Sequence, residues 1–172
     1  MRRVALLRAI NVGGRTVKMD RLRSAFTDLG FGDVATLIAS GNVIFDDSAR
    51  DDAALEARIE NHLAGAFGFD VATFIRRGPE LAAAAAHDSA RDDGTLYIGF
   101  LKTAPPAAAA GAVAALSTAT DHLAVHGREL YWRATDGIGR SKITSARLEK
   151  LLGGPLTLRN VNTVEKLAAL VS

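Results

Sequence analysis

Apolar positions along the first eighty residues switch between a period of two and a period of three to four, and the switches predict the elements. Arg3 to Ile10 reads as a buried strand because Val4, Leu6 and Ile10 are aliphatic, and Asn11-Val12-Gly13-Gly14 follows as a turn. Met19, Leu22, Phe26 and Leu29 then recur at helical spacing, with Gly30 where a left-handed cap is wanted. Val34 to Ile38 and Val43 to Phe45 are short β-rich runs around Ala39-Ser40-Gly41-Asn42, which predicts a hairpin. A second helix is signalled by Ser48 or Asp51 as cap, Leu55, Ile59, Leu63 and Phe67 as buried stripe, and Gly68 as stop. Val71 to Ile75 closes the unit as a strand, and the order is βαββαβ.

A Pro79-led, alanine-rich helix follows, and then residues 88–94 are polar, charged and without periodicity, as a linker is. The same order returns after it. Thr95 to Leu101 reads as a strand, Pro105 to Leu116 as a helix, and His122 to Val125 with Glu129 to Trp132 as a hairpin turning near Gly127. Ile143 to Leu152 is a helix stopped by Gly153-Gly154-Pro155, Leu156 to Leu158 a last strand, and Val164, Leu167, Ala168 and Val171 a terminal helix. The expected fold is therefore α+β: two ferredoxin-like βαββαβ halves related by duplication, with an extra C-terminal helix. The halves are residues 1–87 and 95–172, joined by 88–94. Right-handed crossovers then bring Asn11 to Gly14 beside Ser40 to Asn42 in the first half. In the second half they gather Asp136 to Lys142 and Arg159 to Asn162 at one edge.

Composition narrows the class. With 172 residues, 48% hydrophobic and 23% charged, the chain suits one compact unit or two small ones and excludes disorder. No cysteine is present, which removes disulfides, thiol nucleophiles and Cys-based zinc sites and fits a reducing cytoplasm. Arg8 interrupts the opening apolar run too early for a signal peptide, and the uncharged stretch from Thr103 to Thr120 is too rich in alanine and proline to span a bilayer. A cytoplasmic protein without a membrane partner is expected. The formal charge is only +2, but it is segregated. Residues 1–23 carry seven bases against Asp20 alone, residues 46–93 eleven acids against five bases, and residues 128–166 eight bases against four acids. Both ends of the chain could form an anion-facing surface, or the segments could neutralise one another in the fold.

Four segments in order, Leu7-Arg8-Ala9-Ile10-Asn11-Val12-Gly13-Gly14, Ser40-Gly41-Asn42-Val43-Ile44-Phe45, Ser141-Lys142 and Thr157-Leu158-Arg159-Asn160-Val161-Asn162-Thr163, carry a resemblance. The sequence resembles, nearly end to end, the bacterial domain-of-unknown-function 1697 proteins. That resemblance implies small cytoplasmic proteins of two ferredoxin-like halves and supplies no activity. Ala9 differs from the family pattern, in which glycine is common there.

The candidate chemistry is anion binding. Gly13-Gly14 ahead of a helix could present backbone amides to an anion with charge from Arg8 and Arg15, or could be a plain turn needing positive φ. Ser40-Gly41-Asn42 is an ordinary hairpin tip whose interest lies in its proximity to Asn11. Gly137 to Lys142 combines flexible backbone, two cations and a hydroxyl ahead of a helix, as a phosphate or carboxylate site would, or as a solvated basic loop would. Asn162-x-x-Glu165 has capping-box spacing, whereas Arg159 and Asn160 have no such local explanation. His122 and His126 are too far apart on a strand to share a metal, His62 and His87 read as surface residues, and no metal or named cofactor is indicated.

The leading expectation is a cytoplasmic binder, or an enzyme, that takes a nucleotide or phosphorylated metabolite in a cleft between the halves. Its ligand-binding residues are Arg8, Asn11, Gly13, Gly14, Ser40, Gly41, Asn42, Ser141, Lys142, Arg159 and Asn160. The alternatives are a nucleic-acid binding module, opposed by an aromatic content of 6%, and a homo-oligomeric interaction protein using an exposed sheet edge or helix.

Overall fold

A computed structural model describes residues 1–37, 41–87 and 95–172, so the expected linker 88–94 and position 40 lie outside the described residues. The fold is mixed α+β, with six α-helices and two four-stranded antiparallel sheets among the described residues. One compact unit comprises residues 1–80 and 167–172, the other residues 81–166. The sequence placed the division at 88–94. That segment is outside the described residues; the boundary between the two compact units lies inside the alanine-rich helix α3 (Gly78–Ala86), and the terminal helix α6 (Val161–Val171) likewise starts in one unit and ends in the other.

In the first unit the order is β1 (Arg2–Leu7), α1 (Met19–Asp28), β2 (Gly32–Thr36), β3 (Asn42–Asp46), α2 (Asp52–Phe67) and β4 (Thr73–Arg77), with strands laid out β2-β3-β1-β4. The second unit has β5 (Leu96–Leu101), α4 (Ala107–Ala114), β6 (Asp121–His126), β7 (Glu129–Ala134), α5 (Ser145–Leu152) and β8 (Leu156–Asn160), laid out β6-β7-β5-β8. Element order and strand order repeat position for position.

Local chemistry explains where the elements stop. Asp51 caps α2 by accepting from the amides of Ala53 and Ala54, and Gly68 ends it at φ 79. Thr144 accepts from the Arg147 amide, so α5 starts at Ser145 and not at Ile143. Strand β1 ends at Leu7, three residues before the expected end, because Ala9 takes a left-handed φ of 53. Pairing with β5 carries β8 beyond Leu158 to Asn160, and α6 starts directly at Val161.

Each core follows the helical stripe. Leu22, Ala25 and Phe26 of α1 and Leu55, Ile59 and Leu63 of α2 bury against Ala5, Leu7, Val43, Phe45 and Ile75. In the second unit Val113, Leu148, Leu123, Leu130, Trp132 and Leu156 do the same. Each fully buried large aliphatic contributes about 1.5–3 kcal/mol. Strand β4 is an edge strand, yet its outward amides are occupied: Thr73, Ile75 and Arg77 donate at 2.8 Å to Glu60, Glu56 and Glu80 respectively. An added strand would have to displace those carboxylates, which weakens the idea of oligomerisation through this edge.

Candidate functional site: a basic cavity in the second unit

The exit of β7 and the entry of β6 are tied together by backbone. Thr135 donates from its amide and its hydroxyl to the Thr120 carbonyl, at 2.9 and 3.2 Å. The turn before β6 is closed by Thr118, whose amide donates to the Asp121 carbonyl at 2.7 Å and whose hydroxyl accepts from the amides of Thr120 and Asp121. Asp121 is 6% exposed, and its Oδ1 accepts from Trp132 Nε1 at 2.8 Å, anchoring the turn to the core. Across from it, Gly137 at φ 80 starts a single 3-10 turn, Ile138–Arg140. Ser141 then accepts from the Ile143 amide at 3.0 Å and leads the chain into α5.

Thr118, Thr120, Asp121, Arg140, Ser141, Lys142 and Ile143 line a cavity of about 280 Å³. Arg140 and Lys142 are exposed, and neither has an acidic partner among the described residues. The wall therefore offers two cations, three hydroxyls and one carboxylate already engaged by Trp132. Anionic oxygens suit the cations, and hydroxyl groups of a ligand suit the carboxylate and the threonines.

Of the residues expected from sequence, Ser141 and Lys142 line this cavity, while Arg159 and Asn160 are not among its lining residues. Arg159 is buried, donating to Thr157 Oγ1 at 2.7 Å and the Leu158 carbonyl at 2.9 Å, and desolvation pulls its pKa down to about 10. Asn160 has the structural role that sequence assigned to Asn162: its Oδ1 accepts from the Asn162 amide at 2.9 Å, at the start of α6. Asn162 itself sits within the helix.

In the first unit Gly41 and Asn42 lie against Leu6, Leu7 and Ile10 at the end of β1. Leu6 pairs with Asn42, the Leu7 amide donates to the Gly41 carbonyl at 2.8 Å, and a Cβ on Gly41 would lie 3.0 Å from Ile10 Cγ2. Asn42 is buried and donates to the Leu37 carbonyl at 3.0 Å, an internal role. Asn11 accepts from the Val17 amide at 2.8 Å and closes the loop that contains Gly13 and Gly14, at φ 62 and 81. That loop ends well before α1, so the two glycine amides do not form a helix N-terminus. Arg8 is half-buried and donates its amide to the Ala72 carbonyl. Ser40 lies outside the described residues.

Sequence reasoning missed Thr118, Thr120 and Asp121, whose signal was a run of small polar residues ahead of a strand. It also read His87 as a surface residue. The ring of His87 is half-buried, stacked on Tyr131 at 4.4 Å and set 4.6 Å from His126, 39 positions further along the chain. Burial, helped by the Glu129 charge, raises the Tyr131 phenol to about 12. Among the described residues no cluster of three or more His, Cys, Asp or Glu could hold a metal, and no helix is long and apolar enough to cross a membrane.

Comparison with known proteins agrees with this architecture. The chain belongs to a family described as proteins of unknown function, DUF1697, whose model matches residues 1–131. It is similar in structure to the conserved bacterial protein SP0830 from Streptococcus pneumoniae, with 26% identity and a TM-score of 0.74 over 99% of this chain and 98% of that one. No curated protein matches it.

Proposed function

We propose that this member of the DUF1697 family is a cytoplasmic bacterial protein that binds a small phosphate-bearing ligand in the cavity of its second unit. The observation that carries this reading is the pair of cations Arg140 and Lys142, without an acidic partner among the described residues, lining one cavity with Thr118, Thr120, Ser141 and Asp121. At about 280 Å³ the space sits at the small end of ligand pockets and fits a phosphorylated sugar or the phosphate–ribose portion of a mononucleotide. The cations take the phosphate, and the threonines with Asp121 take the hydroxyls. The site thereby moves from a cleft between halves to a cavity inside one of them. The absence of cysteine fits a reducing compartment, and the structural relative is bacterial. The repeated strand order supports reading the two units as a duplicated ferredoxin-like plait.

The test is a thermal-shift panel at low salt with mononucleotides, phosphosugars and inorganic phosphate, followed by calorimetric titration of any ligand that raises the melting temperature. Lys142→Ala and Arg140→Ala should each weaken binding about 5- to 10-fold, as expected for an exposed charge-assisted contact of about 1–1.4 kcal/mol, with Tm unchanged. Absence of any shift, or binding indifferent to both substitutions, refutes the site.

A further inference from the structure

The basic N-terminal segment is not neutralised in the fold. Arg2 pairs with Asp46, Arg3 with Asp52 and Arg23 with Asp20, but Arg15, Lys18 and Arg21 are exposed with no acidic partner among the described residues. Two of these cations also rest over aromatic rings. The Arg15 guanidinium lies over the ring of Phe69 at 4.7 Å, and that of Arg21 over Phe67 at 5.0 Å. The two rings are 6.1 Å apart and inclined by 31°, brought together because Gly68 reverses the chain between them at φ 79. Arg21 is further fixed by donating to the Ala66 carbonyl at 2.5 Å, at the end of α2.

A guanidinium resting on a ring has one face covered, while the opposite face and part of its donor rim remain toward solvent. Two such planes on an aromatic base, with Lys18 between them in sequence, gather three cations that have no acidic partner among the described residues. An isolated phosphate has no use for a second plane, and the carboxylates of an acidic peptide pair with the guanidinium rims and leave the outer faces unused. A chain that alternates anionic phosphates with planar bases uses both.

We propose that Arg15, Lys18 and Arg21, on their Phe67–Phe69 support, form a docking surface for single-stranded nucleic acid. The phosphates contact Lys18 and the guanidinium rims, and bases stack on the outer guanidinium faces. Recognition is by charge and stacking and carries little sequence preference. The aromatic content that argues against a stacking platform is beside the point here, because the exposed planes belong to arginine.

Fluorescence anisotropy of the full chain with labelled twelve-nucleotide DNA and RNA, at 20 and 200 mM salt, tests this. Binding should weaken steeply with salt. Arg15→Ala should weaken it about fivefold, and Arg15→Lys, which keeps charge and loses the plane, should recover less than half of that loss. Arg15 donates its backbone amide to the Val12 carbonyl, a bond that both substitutions keep, so an unchanged Tm separates docking from folding even if Arg21→Ala destabilises the protein. The proposal is overturned by no binding at 20 mM salt, by Arg15→Lys matching the parent, or by salt-insensitive binding. A Lys142→Ala variant that loses oligonucleotide affinity as Arg15→Ala does would overturn it too, by moving the contact to the cavity.

Discussion

Replacing Gly41 by alanine probes the junction of β1 with the β2–β3 connection. Two costs arise there and can be separated. The first is conformational: Gly41 sits at φ 77, where a Cβ costs about 1–2 kcal/mol. The second is steric, since the added carbon would lie 3.0 Å from Ile10 Cγ2, 3.1 Å from Leu7 Cβ and 3.2 Å from the Leu7 carbonyl oxygen. Overpacking of that kind costs about 1–3 kcal/mol. Gly41→Ala should therefore destabilise the first unit by about 2–5 kcal/mol. Gly14 is the control, because it has φ 81 and nothing within 4 Å of an added Cβ, so Gly14→Ala should cost only the conformational part, about 1–2 kcal/mol. Trp132, Tyr97 and Tyr131 all lie in the second unit, so intrinsic fluorescence is blind to the event. Urea unfolding followed by far-ultraviolet circular dichroism reads both units, and hydrogen exchange at the Leu7 amide, bonded to the Gly41 carbonyl at 2.8 Å, reads the junction itself. If Gly41→Ala and Gly14→Ala cost the same, the close approach to Leu7 and Ile10 has no energetic weight and the reasoning fails.

Further tests bear on other parts of the molecule. Glu56→Ala strips the buried Ile75 amide of its acceptor and should cost about 1–3 kcal/mol by chemical denaturation, while Glu56→Gln, which keeps an acceptor, should cost less. Asp121→Ala frees the Trp132 indole from its 2.8 Å bond and should cost about 1–3 kcal/mol, with a change in near-ultraviolet dichroism; an unchanged spectrum would contradict it. Asp51→Ala should cost about 1 kcal/mol by removing the α2 cap, read as a lower urea midpoint. Tyr131 keeps its proton up to about 12 in the folded protein, whereas in the unfolded chain it ionises near 10.0, so stability falls as pH rises from 10 to 12. The phenolate absorbance assigned by difference from Tyr131→Phe should appear only near the upper value.

The order of elements was legible because its punctuation is chemical. Gly68 and Gly153 end helices in left-handed conformation, Asp51 supplies a cap, and the stripes of α1 and α2 are the ones that pack. Boundaries failed where a residue took a role its type does not announce. Ala9 carries no turn signal, yet its φ of 53 stops β1. Arg159 and Asn160 look like loop residues, yet pairing with β5 holds them in a strand, which is why the capping role fell to Asn160 and not to Asn162. In the candidate site, Ser141 and Lys142 stood out because cations, glycines and a hydroxyl are adjacent in sequence. Thr118 to Asp121 did not, because only the tie between Thr120 and Thr135 brings that turn to the same wall.

Residues 167–172 belong to the unit that begins at residue 1, while the intervening residues 81–166 form the other. The second unit is thus contiguous and can complete itself as soon as it has been synthesised; the first is split, and waits for the last turns of α6. Gly78 makes that wait concrete, since a Cβ there would lie 2.5 Å from the Val171 carbonyl oxygen. During synthesis the earliest-made strands are consequently the last to become fully native, and a nick or stop before Leu167 injures the unit at the opposite end of the chain.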